Sequence, residues 1–261
     1  MQLNPSATEL TTAATDAALG LLCLAVLLRL GAIKVSATWK RALWCWVFGL
    51  LVVASVLGTV VHGLELSESV RSVLWRPLYL SLGLTVALFL IGGIYDWRGE
   101  AAARALLPWA VGIGVSFFAV TQLSGGSFLI FVVYEATAML ATLAMYVFLS
   151  TTGRLAGAGM MTVGIGLSIV AAAVQASALS VRLIVPFDHN GLFHLVQLTA
   201  TARCQTACAA GWKQKTGKPP DSDGSVVAGE QRLQTAGGQC DHEQPRMKGR
   251  TSASGEQHGP Q

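Results

Sequence analysis

The chain has 261 residues, of which 52% are hydrophobic and only 12% are charged. Soluble domains average about 25% charged residues, so this composition excludes an ordinary soluble enzyme, a nucleic-acid binder and a disordered protein. The charge is also uneven, because the last 59 residues hold 8 of the 18 Lys and Arg residues and 6 of the 14 Asp and Glu residues. The first three quarters of the chain are therefore strongly apolar, and the end is polar.

Seven apolar segments are each about long enough to cross the hydrocarbon core of a bilayer, which takes roughly 20 helical residues. Backbone groups in lipid must be hydrogen-bonded within the protein, so each crossing is expected to be a helix. The seventh segment is the weakest, because Gln197, Arg203 and Gln205 interrupt it. The predicted segments are Ala17–Ile33, Ala42–Leu64, Pro77–Tyr95, Ala105–Leu123, Phe128–Leu149, Gly157–Leu179 and Asp188–Cys208.

The expected fold is all-α, a bundle of seven transmembrane helices with a disordered polar C-terminal tail. Residues 1–16 would form an outer N-terminal segment, residues 17–208 the membrane domain, and residues 209–261 a cytoplasmic tail. The tail is rich in Gly, Gln, Ser and Lys and has no apolar period, which is typical of disorder.

The distribution of Lys and Arg over the short loops predicts the orientation. The loops on one side carry seven of these residues and the loops on the other side carry three. Since cytoplasmic loops are richer in Lys and Arg, we expect an integral membrane protein with its N-terminus outside or lumenal and its C-terminus in the cytoplasm. The seven are Arg29, Lys34, Lys40, Arg41, Arg98, Arg104 and Arg154, and the three are Arg71, Arg76 and Arg182.

The depth of each residue in the membrane can be calculated from the predicted topology at about 1.5 Å per helical residue. By this calculation, the polar side chains within the apolar segments concentrate near the outer membrane face. Glu135 falls roughly 10 Å below that face and has no cationic neighbour in sequence, so it should be protonated or paired across helices. Ionisable groups inside a bilayer are functional candidates by default. The pattern predicts one polar cavity open to the outer side. The other polar residues at this level are Asp16, Ser55, Thr59, Ser81, Gln122 and Gln175.

A structural interpretation of these residues stays open beside the functional one. Single Ser, Thr and Gln side chains commonly hydrogen-bond between membrane helices. Asp16 could instead cap the first helix, because it directly precedes the apolar run.

Three histidines, His62, His189 and His194, map to the same membrane face. Three imidazoles could complete a zinc site whose fourth position holds water. His189 and His194 are five residues apart, which separates them by about 140° on a regular helix, whereas Asn190 and His194 share a face. His189 could still reach a shared metal if the helix started after it, with Asp188 or Asn190 as the cap.

The histidine at the end of the second segment and the paired-histidine motif at the start of the seventh resemble the superfamily of alkaline ceramidases and adiponectin-receptor-like proteins. The resemblance covers about residues 8–200 and looks most like an uncharacterised branch. It implies a zinc ion held by three His, with a Ser and an Asp around the activated water, and hydrolysis of lipid amides. The motif of the seventh segment is Asp188-His189-Asn190-Gly191-Leu192-Phe193-His194.

The match to that superfamily is partial. His62 and His194 fall on two of its histidines, but its first histidine of the seventh span falls on Asn190, one position from His189. Its serine falls on Gly58, and Ser55 is two turns from His62. No carboxylate lies between Glu68 and Asp96 to match its aspartate of the third span.

These departures favour a non-enzymatic sensor or binder of a lipid or small molecule over an enzyme. The alternative is a zinc-dependent lipid amide hydrolase, with zinc on the three histidines and with Glu135 or Asp16 moving the proton near Ser55. A transporter is a third hypothesis. The expected partners are membrane lipid and a lipid or small-molecule ligand, and no nucleic acid.

Overall fold

The computed structural model describes residues 2–32, 37–124, 128–182 and 184–216, with the backbone alone at residues 128 and 208–216. These residues form seven helices and, between the last two, a pair of antiparallel two-residue strands, β1 (Val181–Arg182) and β2 (Pro186–Phe187). The described part of the chain is therefore all-α apart from this short hairpin, as predicted. The helices are α1 (Ala7–Ala32), α2 (Thr38–Gly63), α3 (Glu68–Arg98), α4 (Glu100–Leu123), α5 (Phe128–Thr151), α6 (Ala158–Gln175) and α7 (His189–Thr216).

Six helices, α1 to α6, are long and apolar enough to cross a membrane. The chain is therefore a multi-pass membrane protein, which confirms the prediction from its composition. Helix α7 has 28 residues, which is long enough, but Gln197, Arg203 and Gln205 make it more polar than the other six. The count of seven crossings stays a prediction.

Several helix ends differ from the predicted segments, because hydropathy marks only the part of a helix that faces lipid. Helix α1 begins at Ala7 and α3 at Glu68, each about three turns early. Residues 7–16, assigned to an outer segment, are thus helical, and the interpretation of Asp16 as an N-cap is wrong. At the start of α3, the cap is Ser67, whose side chain accepts a hydrogen bond from Val70 N at 3.5 Å.

The last two helices also end at other residues than predicted. Helix α6 stops at Gln175, before the predicted Leu179, and the hairpin follows. Helix α7 continues to Thr216, past the predicted start of the tail at residue 209. The remainder of the predicted tail, residues 217–261, lies outside the described residues.

Six of the helices form a closed ring, in which neighbours follow the order α1, α2, α3, α5, α6, α7 and back to α1. Helix α4 lies outside this ring, against α3 and α5. Gly99 alone separates α3 from α4 and has a φ angle of +89°, a conformation that side chains with a Cβ rarely adopt. The abrupt turn at Gly99 directs α4 back along the outside of α3.

The end of the bundle where α2 ends and α7 begins, which we call the His62 end, is covered by the N-terminal residues and the hairpin. Asn4 N donates to Gly63 O and Glu65 N donates to Gln2 O, both at 3.0 Å. The Thr11 hydroxyl donates to Pro186 O at 2.8 Å. These bonds connect the residues before α1 to the end of α2, and the second turn of α1 to the hairpin before α7.

The opposite end, which we call the Lys40 end, is held by a buried ion pair. Lys40 is 3% exposed, and its Nζ lies 2.5 Å from Asp96 Oδ1. The Tyr146 hydroxyl donates to Asp96 Oδ2 at 2.8 Å, and Trp39 stacks on Tyr95 beside the pair. The cluster connects α2, α3 and α5. Sequence analysis placed Lys40 in a loop and did not identify its partner.

Replacing Asp96 alone should destabilise the protein strongly, because Lys40 would stay buried without its counter-charge. We expect Asp96→Asn to lower the free energy of unfolding by about 3–5 kcal/mol, and Lys40→Met combined with Asp96→Leu to cost clearly less. Titration of purified protein in mixed micelles with sodium dodecyl sulfate measures both.

The control is Glu100→Gln, which removes the exposed ion pair with Arg104 and should change stability by less than about 1 kcal/mol. A double variant as unstable as Asp96→Asn would show that the ion pair is not the reason for the loss.

Candidate functional site

The ring of six helices encloses a cavity of about 400 Å³, which is within the usual range of about 300–1,000 Å³ for ligand sites. Each of the six helices contributes to its wall, and no described residue of α4 does. Along α2 the lining extends from Trp44 to His62, a length of about 27 Å at 1.5 Å per residue. The cavity is therefore long and narrow, and it extends through most of the apolar core, which is about 30 Å thick.

All six residues predicted to form a site line this one cavity, although they come from four helices. Their chemical roles stay predictions. Of the other polar residues predicted at the same level, Gln175 also lines it, whereas Thr59, Ser81 and Gln122 are not among its lining residues. The six are Asp16, Ser55, His62, Glu135, His189 and His194.

The cavity wall changes from polar to apolar along its length. The polar side chains occupy the His62 end and the first two to three turns beneath it. Toward the Lys40 end the wall is mainly aliphatic and aromatic. The apolar part is formed chiefly by Val47, Phe48, Leu51, Leu82, Val86, Phe89 and Met139.

Asp16 and His194 form the central polar contact of the cavity. His194 is 8% exposed and Asp16 is 6% exposed, and His194 Nε2 lies 3.3 Å from Asp16 Oδ1. The other ring nitrogen, Nδ1, lies 3.2 Å from the Thr15 hydroxyl. This contact joins α1 to α7 and so closes the ring of helices.

Gly58 makes room for the carboxyl group of Asp16. A Cβ atom at this position would lie 2.9 Å from Asp16 Cγ and would collide with the carboxylate. The resemblance described above would put the superfamily's serine at Gly58. In this chain, the carboxyl group of Asp16 fills the space in front of it.

The His62 ring is positioned by Glu9, whose Oε2 lies 2.7 Å from His62 Nδ1. The His62 ring also meets Trp75 edge to face, with the ring centroids 5.9 Å apart, and Trp75 in turn packs against Tyr79. Glu9 was not among the residues singled out from the sequence, because it precedes the first apolar segment.

Asp188 caps helix α7, as the sequence suggested it could. Its Oδ1 accepts from Gly191 N at 2.9 Å and from the Thr12 hydroxyl at 3.1 Å. The helix accordingly begins at His189. This cap fixes the start of α7 against α1 and so determines the height of His194 in the cavity.

Five buried polar atoms have no hydrogen-bond partner among the described residues, and all five belong to residues that line the cavity. Leaving a buried polar group unpaired costs about 1–3 kcal/mol, so such groups are few in native proteins and each calls for an explanation. Because all five line the same cavity, its wall carries donors and acceptors that a bound molecule could pair with. The atoms are Trp44 Nε1, Thr85 Oγ1, Glu135 Oε2, Gln175 Oε1 and Gln197 Oε1.

The geometry of the histidines does not fit zinc. Both ring nitrogens of His194 already face protein groups, and His62 Nδ1 faces Glu9. Within the described ranges, no three His, Cys, Asp or Glu side chains come together in an arrangement that could hold a metal ion. A zinc site on His62, His189 and His194 stays a prediction that this arrangement does not support.

Helix α7 carries a polar stripe that the sequence analysis missed. Gln197 was read as an interruption of an apolar span, yet it faces the cavity together with other α7 residues. The positions are spaced by four, three, four and three residues, the repeat that keeps side chains on one helix face. This spacing was the available signal, and it explains why α7 is more polar than its neighbours. The stripe consists of Asn190, His194, Gln197, Thr201 and Cys204.

A second, polar depression adjoins the cavity and shares Trp75 and Tyr79 with it. Arg71 and Arg76 lie in this depression, together with Gln122 from α4. Gln122, which was predicted at the level of the cavity, is thus separated from it by the outer position of its helix.

Adding a methyl group at Gly58 should destabilise the protein by displacing Asp16 from His194. We expect Gly58→Ala to lose about 1–3 kcal/mol of unfolding free energy, the usual penalty of overpacking. The matched control is Gly49→Ala on the same helix, where a Cβ meets nothing within 4 Å. Unfolding in mixed micelles measures the difference.

The double variant Gly58→Ala with Asp16→Ala removes the collision. It should be no less stable than Asp16→Ala alone. A penalty for Gly58→Ala that persists without the Asp16 carboxyl would contradict the packing described.

Comparison with known proteins gives a family but no activity. Residues 11–210 match the model of a family of unknown function, DUF6962, and this range includes nearly the whole ring of helices and every cavity-lining residue. No curated protein and no solved structure matches the chain. Since the family model covers more than half of the sequence, this membrane protein belongs to the DUF6962 family of unknown function.

Proposed function

We propose that this protein binds an amphiphilic molecule, a lipid or a small lipid-like compound, inside the membrane, and acts as a sensor or binder rather than as an enzyme. The single observation that carries the proposal is the cavity within the helix ring, whose wall holds all five unpaired side-chain atoms found in the described part of the chain. A largely apolar cavity with a few convergent polar groups is the usual form of a small-molecule site.

The change of polarity along the wall supports an amphiphile in particular. A polar head group would lie among the His62-end side chains, where it could use their spare hydrogen-bonding capacity. An alkyl chain would lie along the apolar part of the wall, toward Phe48 and Phe89. Each buried methylene contributes about 0.8 kcal/mol in transfer from water, but a chain already dissolved in lipid gains little, so the head group would decide the affinity.

Helix α7 supports seven crossings in this proposal. It lies between α1 and α6 in the ring and directs its polar stripe into the cavity, so its polarity does not require an aqueous surface. With the Lys and Arg bias of the loops, seven crossings would put the N-terminus and the His62 end outside or in a lumen.

A photoreactive long-chain alcohol should label the cavity wall when the protein is reconstituted in nanodiscs. We expect crosslinks in peptides of α2, α3 and α7, mapped by mass spectrometry, and expect an excess of unlabelled dodecanol to remove them. Ala54→Phe, which fills the cavity at a lining position, should abolish the competable labelling. Ala119→Phe on the exposed side of α4 is the matched control and should leave it unchanged.

Two results would contradict the binder. Labelling confined to lipid-facing positions, and equal in both Phe variants, would show that the alcohol enters no cavity. The zinc-dependent hydrolase would be favoured instead if the purified chain contained one zinc ion and hydrolysed a lipid amide, and if His194→Ala lost both the zinc and the activity.

A further inference from the structure

Glu135 contributes an unpaired carboxyl oxygen to the described cavity wall. It is 5% exposed and lies on the cavity wall, about two turns from the start of α5. Its Oε2 has no hydrogen-bond partner among the described residues. An unpaired ionisable group at this depth is expensive, so its position is explained best by a partner that the protein does not itself supply.

Two of the three histidines among the described lining residues face carboxyl groups of the protein, and His189 is the third. His62 faces Glu9, and His194 faces Asp16. No Lys or Arg is among the lining residues that the structure describes. Arg71 and Arg76 belong to the neighbouring depression. The described wall therefore offers Glu135 no Lys or Arg as a counter-charge.

The other unpaired atoms are mostly acceptors as well. Gln175 Oε1 and Gln197 Oε1 are amide oxygens and can only accept, the Thr85 hydroxyl can accept or donate, and the Trp44 indole nitrogen can only donate. Aromatic rings from Trp75, Tyr79 and other lining residues surround the polar part, and such rings attract cations. The wall therefore complements a head group that donates hydrogen bonds and carries positive charge.

We infer that the ligand is a single-chain amphiphilic amine whose ammonium group pairs with Glu135. This inference rests on the proposed function and adds the chemical class of the head group. The narrow shape of the cavity, about 27 Å long with a volume near 400 Å³, fits one alkyl chain. Charge-assisted hydrogen bonds are about twice as strong as neutral ones, so Glu135 would make the amine the preferred ligand.

Competition against the photoreactive alcohol tests the head group directly. Dodecylamine, dodecanol and dodecanoate share one chain and differ in charge. In nanodiscs of zwitterionic lipid, we expect dodecylamine to compete at a concentration about ten- to a hundredfold below that of dodecanol, and expect dodecanoate to be the weakest. Glu135→Gln should bring dodecylamine to the level of dodecanol and leave dodecanol unchanged.

Glu100→Gln is the matched control, because Glu100 is an exposed carboxylate away from the cavity. It should keep the preference for the amine. Equal competition by all three compounds, or an amine preference that survives Glu135→Gln, would overturn the amine assignment while the binder stands. Absence of competable labelling with any of the three would overturn the proposed function itself, and the amine assignment with it.

Discussion

A polar group inside a bilayer has to find its partner within the protein, because lipid supplies none. This constraint governs both ends of the bundle. At the Lys40 end, Lys40, Asp96 and Tyr146 meet it by pairing with one another across three helices. At the His62 end it is met only in part, since Asp16 and His194 are paired while Glu135 Oε2 has no partner among the described residues.

The two ends of the bundle differ in how fully their polar groups are paired, and this difference indicates a structural role for one and a binding role for the other. A fully paired cluster stabilises one arrangement of helices and leaves nothing for a ligand to bind. A partly paired cavity leaves hydrogen-bonding groups available, as the proposed function requires. The ring of six helices creates the cavity, and α4 remains outside because the turn at Gly99 returns it along the outer face of α3.

The sequence predicts the helices and the meeting of the candidate residues well, because hydropathy and alternate threading determine depth. It does not predict helix ends such as Ala7 of α1, because polar turns outside lipid have no apolar signal. Hydropathy also does not predict how each helix is rotated about its axis or which helices are its neighbours. The Lys40–Asp96 pair and the separation of Gln122 from the cavity both depend on which helices are neighbours. The polar stripe of α7 was readable as a four-three spacing, yet the low hydropathy of the segment obscured it.

Cysteine scanning of α7 tests the central claim most directly, namely that its polar side chains face one cavity inside the ring. In a background without the five native cysteines, single cysteines at Asn190, His194, Gln197 and Thr201 should react with a small water-soluble thiol reagent. Cysteines at the exposed positions Leu195 and Thr199 should stay unreactive in the bilayer. Reaction in the four-three pattern is the predicted result, and reaction at Leu195 and Thr199 with protection of the other four would contradict the account.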